Sequence, residues 1–339
     1  METIRWGIVG CGDVTEIKSG PGFQKASGSE LVAVMRRDGA KAADYAKRHG
    51  VARWYDDAAK LIGDRDVNAI YVATPPGNHE EYAMMALEAG KPCYVEKPMA
   101  RIGAEATRMT AAFAKQNVPL FVAYYRRAMP RFVKAKEIIK GGELGEIKSV
   151  SYTYRDGQMK QAITPVPWRL QAEQAGGGLF FDLGSHALDL VDFFFGPLSF
   201  ASGNARSAGG QFAVEDQVEM TFSAAGGVAG QVQFDFVYGE KVDRYEIHGS
   251  KASLRFSCFG VDPLIVESGG KVVSSLEIGP PQHVQQPLIQ AIVNYLRGDK
   301  SAGAWLSFGE VATRTQIMMD RGVEGFYGGR GDGFWKGKR

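Results

Sequence analysis

Ile4 to Val9, a short apolar run, passes directly into Gly10-Cys11-Gly12, and few folds accept that order. A buried strand that ends in a glycine turn and hands on to a helix is the opening unit of a doubly wound α/β sheet. The pattern continues. Apolar runs at Leu31 to Met35, Ala69 to Ala73, Cys93 to Val95 and Leu120 to Ala123 alternate with helix-like stretches at Ala40 to His49, Glu80 to Ala89 and Ala104 to Gln116. Strands separated by helices at this rhythm build a parallel sheet covered on both faces. The sequence therefore predicts an α/β dinucleotide-binding domain of Rossmann type over residues 1–122.

Beyond a further helix at Phe132 to Lys140 the periodicity changes. Segments that alternate apolar and polar residues, Ser149 to Tyr154, Gln217 to Phe222, Ala229 to Phe236 and Arg244 to His248, are punctuated by Gly-Gly and Ser-Gly turns. They predict an α+β domain over residues 123–339 with a large, mostly antiparallel, open sheet. Helices are expected at Leu183 to Phe195, Pro287 to Leu296 and Phe308 to Met319. The stretch from Gly328 to Arg339, rich in glycine and positive charge, reads as a mobile end.

Composition narrows the partners. Lys and Arg number 40 against 38 Asp and Glu, so there is no basic excess to hold nucleic acid or an anionic membrane. No apolar stretch approaches the roughly 20 residues that span a bilayer. The three cysteines, Cys11, Cys93 and Cys258, have neither metal-ligand nor redox spacing, so no metal site is expected and a reducing compartment fits. With no signal-like segment before Ile4, the expected location is the cytoplasm, and the expected ligand is a small molecule.

The glycine loop carries the first chemistry. Gly10 permits the tight turn, Gly12 lets a pyrophosphate approach the backbone, and Asp13 and Val14 open the helix whose N-terminus faces it. The third small residue of the fingerprint is replaced by Thr15, which departs from the pattern. About 20 residues further on, where an acidic residue normally meets the adenosine ribose, the chain has Arg36-Arg37-Asp38. Two guanidinium groups there suit a 2′-phosphate, and so NADP. The other reading keeps them as solvated surface residues with Asp38 on the ribose, in which case NAD is also possible. At the ends of later strands lie Thr74 and Pro75, with His79 after them, and then Glu96-Lys97-Pro98. Ligands bind at the carboxyl ends of parallel strands, so these residues are candidates for cofactor contact and Lys97 for chemistry.

Gly7 to Gly12, Ala73 to His79 and above all Glu96-Lys97-Pro98 resemble the glucose-fructose oxidoreductase, inositol dehydrogenase and MocA family. In the second domain, Gly176-Gly177-Gly178-Leu179-Phe180-Phe181-Asp182-Leu183-Gly184-Ser185-His186 resembles the family's glycine-led Asp-x-x-x-His segment. Trp168-Arg169-Leu170 is similar to the sugar-reductase branch typified by anhydrofructose reductase. The resemblance implies an NAD(P)-dependent dehydrogenase or reductase that moves a hydride between nicotinamide and a ring carbon of a sugar, cyclitol or polyol. It implies that Lys97, Asp182 and His186 surround the reacting carbon, and that the open sheet forms a homodimer or homotetramer interface.

The residue types agree with those roles. Asp182 and His186 are spaced to share one helix face. Histidine titrates near neutrality and can take or return the proton of an alcohol. A lysine beside an oxidised nicotinamide has its pKa lowered by that positive charge and by burial. Alternatively, Asp182 complements its helix dipole and His186 bonds Asp189. Tyr125, Arg126, Trp168 and Arg169, together with His186, are candidates for sugar contact, the arginines being open to ion pairing instead. Three other functions use much of the same machinery: a reductase of a non-sugar carbonyl such as a dihydrodiol, a glycosidase with transiently used NAD, and a ligand-sensing regulator. Arg36-Arg37 speaks against the second, and the joint retention of Lys97, Asp182 and His186 against the third.

Overall fold

A computed structural model describes residues 2–337. The chain forms two compact units, the first from residues 1–100, 105–129 and 281–313, the second from 101–104, 130–280 and 314–339. A single cut at residue 122 thus does not follow the packing, because residues 281–313 return to the first unit.

In the first unit, β1 (Ile4–Val9), β2 (Ser29–Met35), β3 (Arg53–Tyr55), β4 (Ala69–Val72), β5 (Cys93–Val95) and β6 (Leu120–Val122) form one parallel sheet in the order β3-β2-β1-β4-β5-β6. Every residue of β4, β5 and β6 is buried, which is why these strands show as unbroken apolar runs. The edge strand β3 escaped the sequence reading, since Arg53-Trp54-Tyr55 is short and half-exposed. Two contacts explain the return of residues 281–313. The helix Gln286–Leu296 lies so close to Gly22 that a Cβ there would sit 2.9 Å from Ile289 Cδ1. The Ser307 carbonyl accepts from the Val122 N–H at 2.8 Å, and Phe308 bridges Phe121 antiparallel to the edge of the sheet.

The second unit is built on β7 (Ile147–Arg155), β8 (Ser199–Arg206), β9 (Gln217–Ala224), β10 (Val228–Asp235), β11 (Val242–Gly249), β12 (Ser253–Phe256), β13 (Leu264–Ser268) and β14 (Lys271–Leu276). They form one sheet in the order β14-β13-β12-β11-β7-β10-β9-β8, antiparallel except for β10 beside β7. One face is packed and the other is wet: Val218, Met220 and Phe222 are buried while Glu219, Thr221 and Ser223 between them are exposed. The helix Ser185–Phe195 is buried from Ser185 to Phe194, and Tyr245 on β11 donates its hydroxyl to the Ala187 carbonyl at 2.6 Å. That bond ties the helix to the packed face. Among the described residues no helix is long and apolar enough to cross a membrane, and no cluster of ligating side chains could hold a metal.

The stretch expected to be a mobile end is anchored by two side chains in the second unit, while Gly328, Gly331, Asp332 and Lys336 are exposed. Arg330 and Phe334 are both buried. Lys338 and Arg339 lie outside the described residues. Positive φ at Gly328 and Gly329 turns the chain back after the helix Gly309–Tyr327, so the glycines there serve a defined turn.

Candidate functional site

In the first unit, β1 ends where Gly10 and Cys11 both donate to the Met35 carbonyl at 2.9 Å, which holds the glycine loop over the end of β2. Gly10 has φ +96, and a Cβ on it would lie 2.7 Å from Thr74 Cγ2 and 3.1 Å from the Thr74 nitrogen. The loop after β4 therefore fits directly onto Gly10, and a larger residue would push the two apart. At Gly12 a Cβ would meet only the Gly10 oxygen, at 3.9 Å, so the protein's own packing leaves this position open. Asp13 and Val14 start a short helix, Asp13–Ile17, whose first N–H groups have no intrahelical acceptor. Thr15 makes up for the missing third glycine: its Oγ1 accepts from the Gly12 N–H at 3.0 Å and donates to the Gly12 carbonyl at 2.7 Å.

His79 and Glu96, both expected as cofactor contacts, have side chains that brace the loops. His79 is fully buried, with Nε2 2.7 Å from the Thr74 carbonyl and Nδ1 3.1 Å from the Pro98 carbonyl. Burial lowers its pKa, which favours the neutral ring. It clamps the loop after β4 to the turn that follows Lys97, and no ring atom is open to a ligand. Glu96 likewise points inward. Its Oε1 accepts from the Tyr71 hydroxyl at 2.5 Å and from Gln285 Nε2 at 2.6 Å, and its Oε2 from the Lys97 N–H at 3.1 Å. Gln285 in turn accepts from the Tyr94 hydroxyl at 2.8 Å. The backbone of Lys97 is thus set by a buried network, while its side chain is only half-buried. Gln285 was invisible to local pattern, lying far along the chain, and only its neighbourhood to a helix start was legible.

Thr74 and Pro75 remain at the open rim, and the Thr74 hydroxyl is buried without a hydrogen-bond partner among the described residues. An oxygen left unsatisfied beside a bare glycine loop fits a ligand that brings its own polar groups. Asp38 caps the helix Gly39–His49, accepting from the Lys41 N–H at 3.2 Å and pairing with Lys41 Nζ at 3.2 Å. The same contacts hold its carboxyl below the usual range. Arg36 leans toward the glycine loop, with Nη1 3.4 Å from the Cys11 carbonyl, and Arg37 is exposed.

Tyr125, Arg126 and Arg127, in the turn after β6, are all buried, with the Arg126 guanidinium 5.0 Å from the centre of the Tyr125 ring.

In the second unit Asp182 sits in a π-helical turn, Phe180–Gly184, that leads into the helix carrying His186. The sequence spacing anticipated one continuous helix, and the structure has a wider turn there; such turns recur at functional sites. His186 is 3% exposed, its ring 6.1 Å from that of Phe259, and Asp182 keeps partial exposure. Arg169 Nε lies 3.4 Å from Asp182 Oδ2 while its guanidinium stacks 4.4 Å above the Trp168 ring. Asp182, Arg169 and Trp168 therefore form one group, an acid, a cation and an apolar platform.

Residues 4–124 match the oxidoreductase family with an NAD-binding Rossmann fold, and residues 132–255 match the GFO/IDH/MocA C-terminal domain. Oxidoreductase P35 of Formosa agariphila is 37% identical over 319 residues, 93% of this chain and 97% of that protein. The 1,5-anhydro-D-fructose reductase of Ensifer adhaerens is 29% identical over 74% of each chain. A levoglucosan dehydrogenase solved in complex with NADH and levoglucosan superposes with a TM-score of 0.79 at 24% identity, over 95% of this chain and 97% of that one. That last likeness speaks to the fold.

Proposed function

We propose that this chain, which belongs to the GFO/IDH/MocA oxidoreductase family, moves a hydride between a nicotinamide dinucleotide and a ring carbon of a sugar, cyclitol or polyol. The observation that carries the reading is the joint presence of Lys97, on the turn leaving β5, and of Asp182 with His186 at a helix entry. The relative named for anhydrofructose supports a sugar-like substrate.

Gly10, Gly12, Asp13, Val14, Thr74 and Pro75 would hold the dinucleotide, which when bound supplies or accepts the hydride. The Lys97 ammonium would donate to the substrate oxygen, polarising it as a carbonyl and stabilising it as an alkoxide. His186 would take or return the alcohol proton, and Asp182 would orient the site and set its charge. Arg169 and Trp168, with Tyr125 and Arg126, are the proposed sugar contacts. A charged pair beside an aromatic face suits a hydroxyl-rich ring better than an apolar diol.

For the cofactor we favour NADP, because Asp38 is committed to its helix cap and to Lys41 while Arg36 and Arg37 stand at the ribose position. Buried free thiols at Cys11, Cys93 and Cys258 agree with a cytoplasmic location, and the polar open face of the eight-stranded sheet with a dimer or tetramer. The test is a screen of sugars, polyols and dicarbonyl sugars with NADPH or NADP, read at the nicotinamide absorbance. Turnover of at least one supports the reading; none, with tight dinucleotide binding, would replace it with a sensor. NADP should bind roughly ten- to a hundredfold tighter than NAD, and Arg36→Asp should erase most of that margin. Equal or tighter NAD binding by the unmodified protein returns the arginines to the surface.

A further inference from the structure

We propose that Arg330, near the end of the chain, is the positioning residue of the Asp182 and His186 segment. The inference rests on the roles proposed above for those two side chains, but its evidence is the packing around Gly176-Gly177-Gly178.

Each of these glycines is bare because something occupies the place of its side chain. Gly176 has φ +90, and a Cβ on it would lie 2.5 Å from the Arg101 carbonyl oxygen. A Cβ on Gly177 would strike the Phe181 ring and stand 3.0 Å from Glu215 Oε1, and one on Gly178 would strike the Glu215 carbonyl. The segment is therefore pressed into a preformed seat, and its backbone groups are used there. The Gly178 N–H donates to Glu215 Oε1 at 2.9 Å, and the other oxygen of Glu215 accepts from the Tyr327 hydroxyl at 2.5 Å.

Arg330 closes the seat. Its Nη1 donates to the Gly176 carbonyl at 2.7 Å, its Nη2 to the Arg101 carbonyl at 2.9 Å and its Nε to Asp320 Oδ1 at 3.0 Å. Asp320 Oδ2 accepts from the Gly103 N–H at 2.5 Å. The guanidinium lies 3.9 Å from the centre of the Phe334 ring, 4.7 Å from that of Phe181 and 4.9 Å from that of Tyr327. One planar cation thus uses edge donors on three acceptors and its faces on aromatic rings, which a lysine cannot reproduce. Phe181 belongs to the same π-helical turn as Asp182, so the guanidinium is fastened to that turn at two places: the Gly176 carbonyl before it and the Phe181 ring within it. Anything that loosens Arg330 frees the turn to rotate and moves Asp182 and the start of the His186 helix together.

The experiment is Arg330→Lys in the full chain, with thermal unfolding to establish that the variant is folded. Three readouts follow: kcat and KM on the substrate found by the screen, the dinucleotide dissociation constant, and the ring titration of His186 by NMR, assigned with His186→Ala. The expected result is a loss of roughly ten- to a hundredfold in kcat, the size of a misplaced catalytic group, with dinucleotide binding within about threefold. The His186 ring should also titrate differently from that of the unmodified protein. A folded variant with unchanged kcat and an unchanged His186 titration overturns the proposal. Should Arg330→Lys not fold, Tyr327→Phe takes away the hydroxyl that donates to Glu215 and keeps the ring beside the Arg330 guanidinium. It should alter the same His186 titration, and no change overturns the proposal equally. Because the titration needs no substrate, a protein that turns over no sugar would sink the sugar reading while leaving this one to be decided by the ring.

Discussion

The turn that carries Lys97 and the turn that carries Asp182 each lean on buried carboxyl groups, and the second adds an ion pair to the hydrogen bonds. Glu96 gathers neutral donors: a tyrosine hydroxyl, a glutamine amide and the next backbone N–H. At the second turn Asp320 is instead ion-paired with the Arg330 cation, itself caged by rings, while Glu215 takes the Tyr327 hydroxyl and the Gly178 N–H and feels that cation at longer range. A neutral network fixes geometry without desolvating a second charge. A buried ion group spends much of its attraction on desolvation and is better understood as setting a unique arrangement. If both turns present groups that act on one substrate, the comparison says that one is held by hydrogen-bond satisfaction and the other by a charged clamp, and these should fail differently.

The largest expected effect tests whether the two turns belong to one reaction at all. Lys97→Ala and His186→Ala should each lower kcat by about a hundredfold or more, which corresponds to about 2.7 kcal/mol in the barrier, with dinucleotide binding nearly intact. Asp182→Asn should cost less, as befits a residue that orients. Near-normal turnover in either alanine variant would remove its turn from the reaction and break the comparison there.

The next effect probes the neutral network alone. Gln285→Leu removes a donor from Glu96 Oε1 and the acceptor of the Tyr94 hydroxyl, both on buried residues. Leaving such groups unpaired should destabilise the protein by roughly 1–3 kcal/mol, read as a fall in the urea midpoint. A midpoint equal to that of the unmodified protein would show that Glu96 is held without Gln285.

These supports also mark where the sequence could be read and where it could not. The glycine loop, the strands β1, β4, β5 and β6, and the motifs around Lys97 and Asp182 announce themselves locally, because strand burial and turn geometry act over a few residues. For Glu96 and His79, motif position tells which turn each occupies, and not which way its side chain points. Gln285 and Arg330 reach their partners across 189 and 154 residues of chain, and no local period records such a meeting. The glycine-rich end misled for a related reason: Gly328 and Gly329 mean flexibility in isolation but a required positive φ once Arg330 has a seat to enter. Residues 281–313 joined the first unit through Gly22 and Val122, contacts that a reading by continuous domains cannot foresee.

The smallest effect sharpens the charged side of the comparison, through pH. Burial raises the pKa of Glu215 above its ordinary 4.5, with the Tyr327 hydroxyl, the Gly178 N–H and Arg330 pulling the other way. A carboxyl group whose native pKa is raised holds more protons in the folded than in the unfolded state between the two values. Stability must therefore fall as pH rises through that window, which opens near the unfolded value and closes at the raised native one. Asp320 is raised by burial as well and titrates in the same direction. Glu215→Gln keeps an acceptor for Gly178 and a polar partner for Tyr327 but does not titrate. Its stability relative to the unmodified protein should rise with pH above about 4.5 and then level off, and since Asp320 is present in both proteins its contribution cancels in the difference. The gain at neutral pH should be modest, on the order of 1 kcal/mol or less, because the glutamine also gives up the attraction to Arg330. Urea denaturation of both proteins from acid to neutral pH reads it directly. A difference that shrinks with rising pH would mean that the attraction of Arg330 outweighs burial, and that the clamp stabilises the fold as well as orienting the turn.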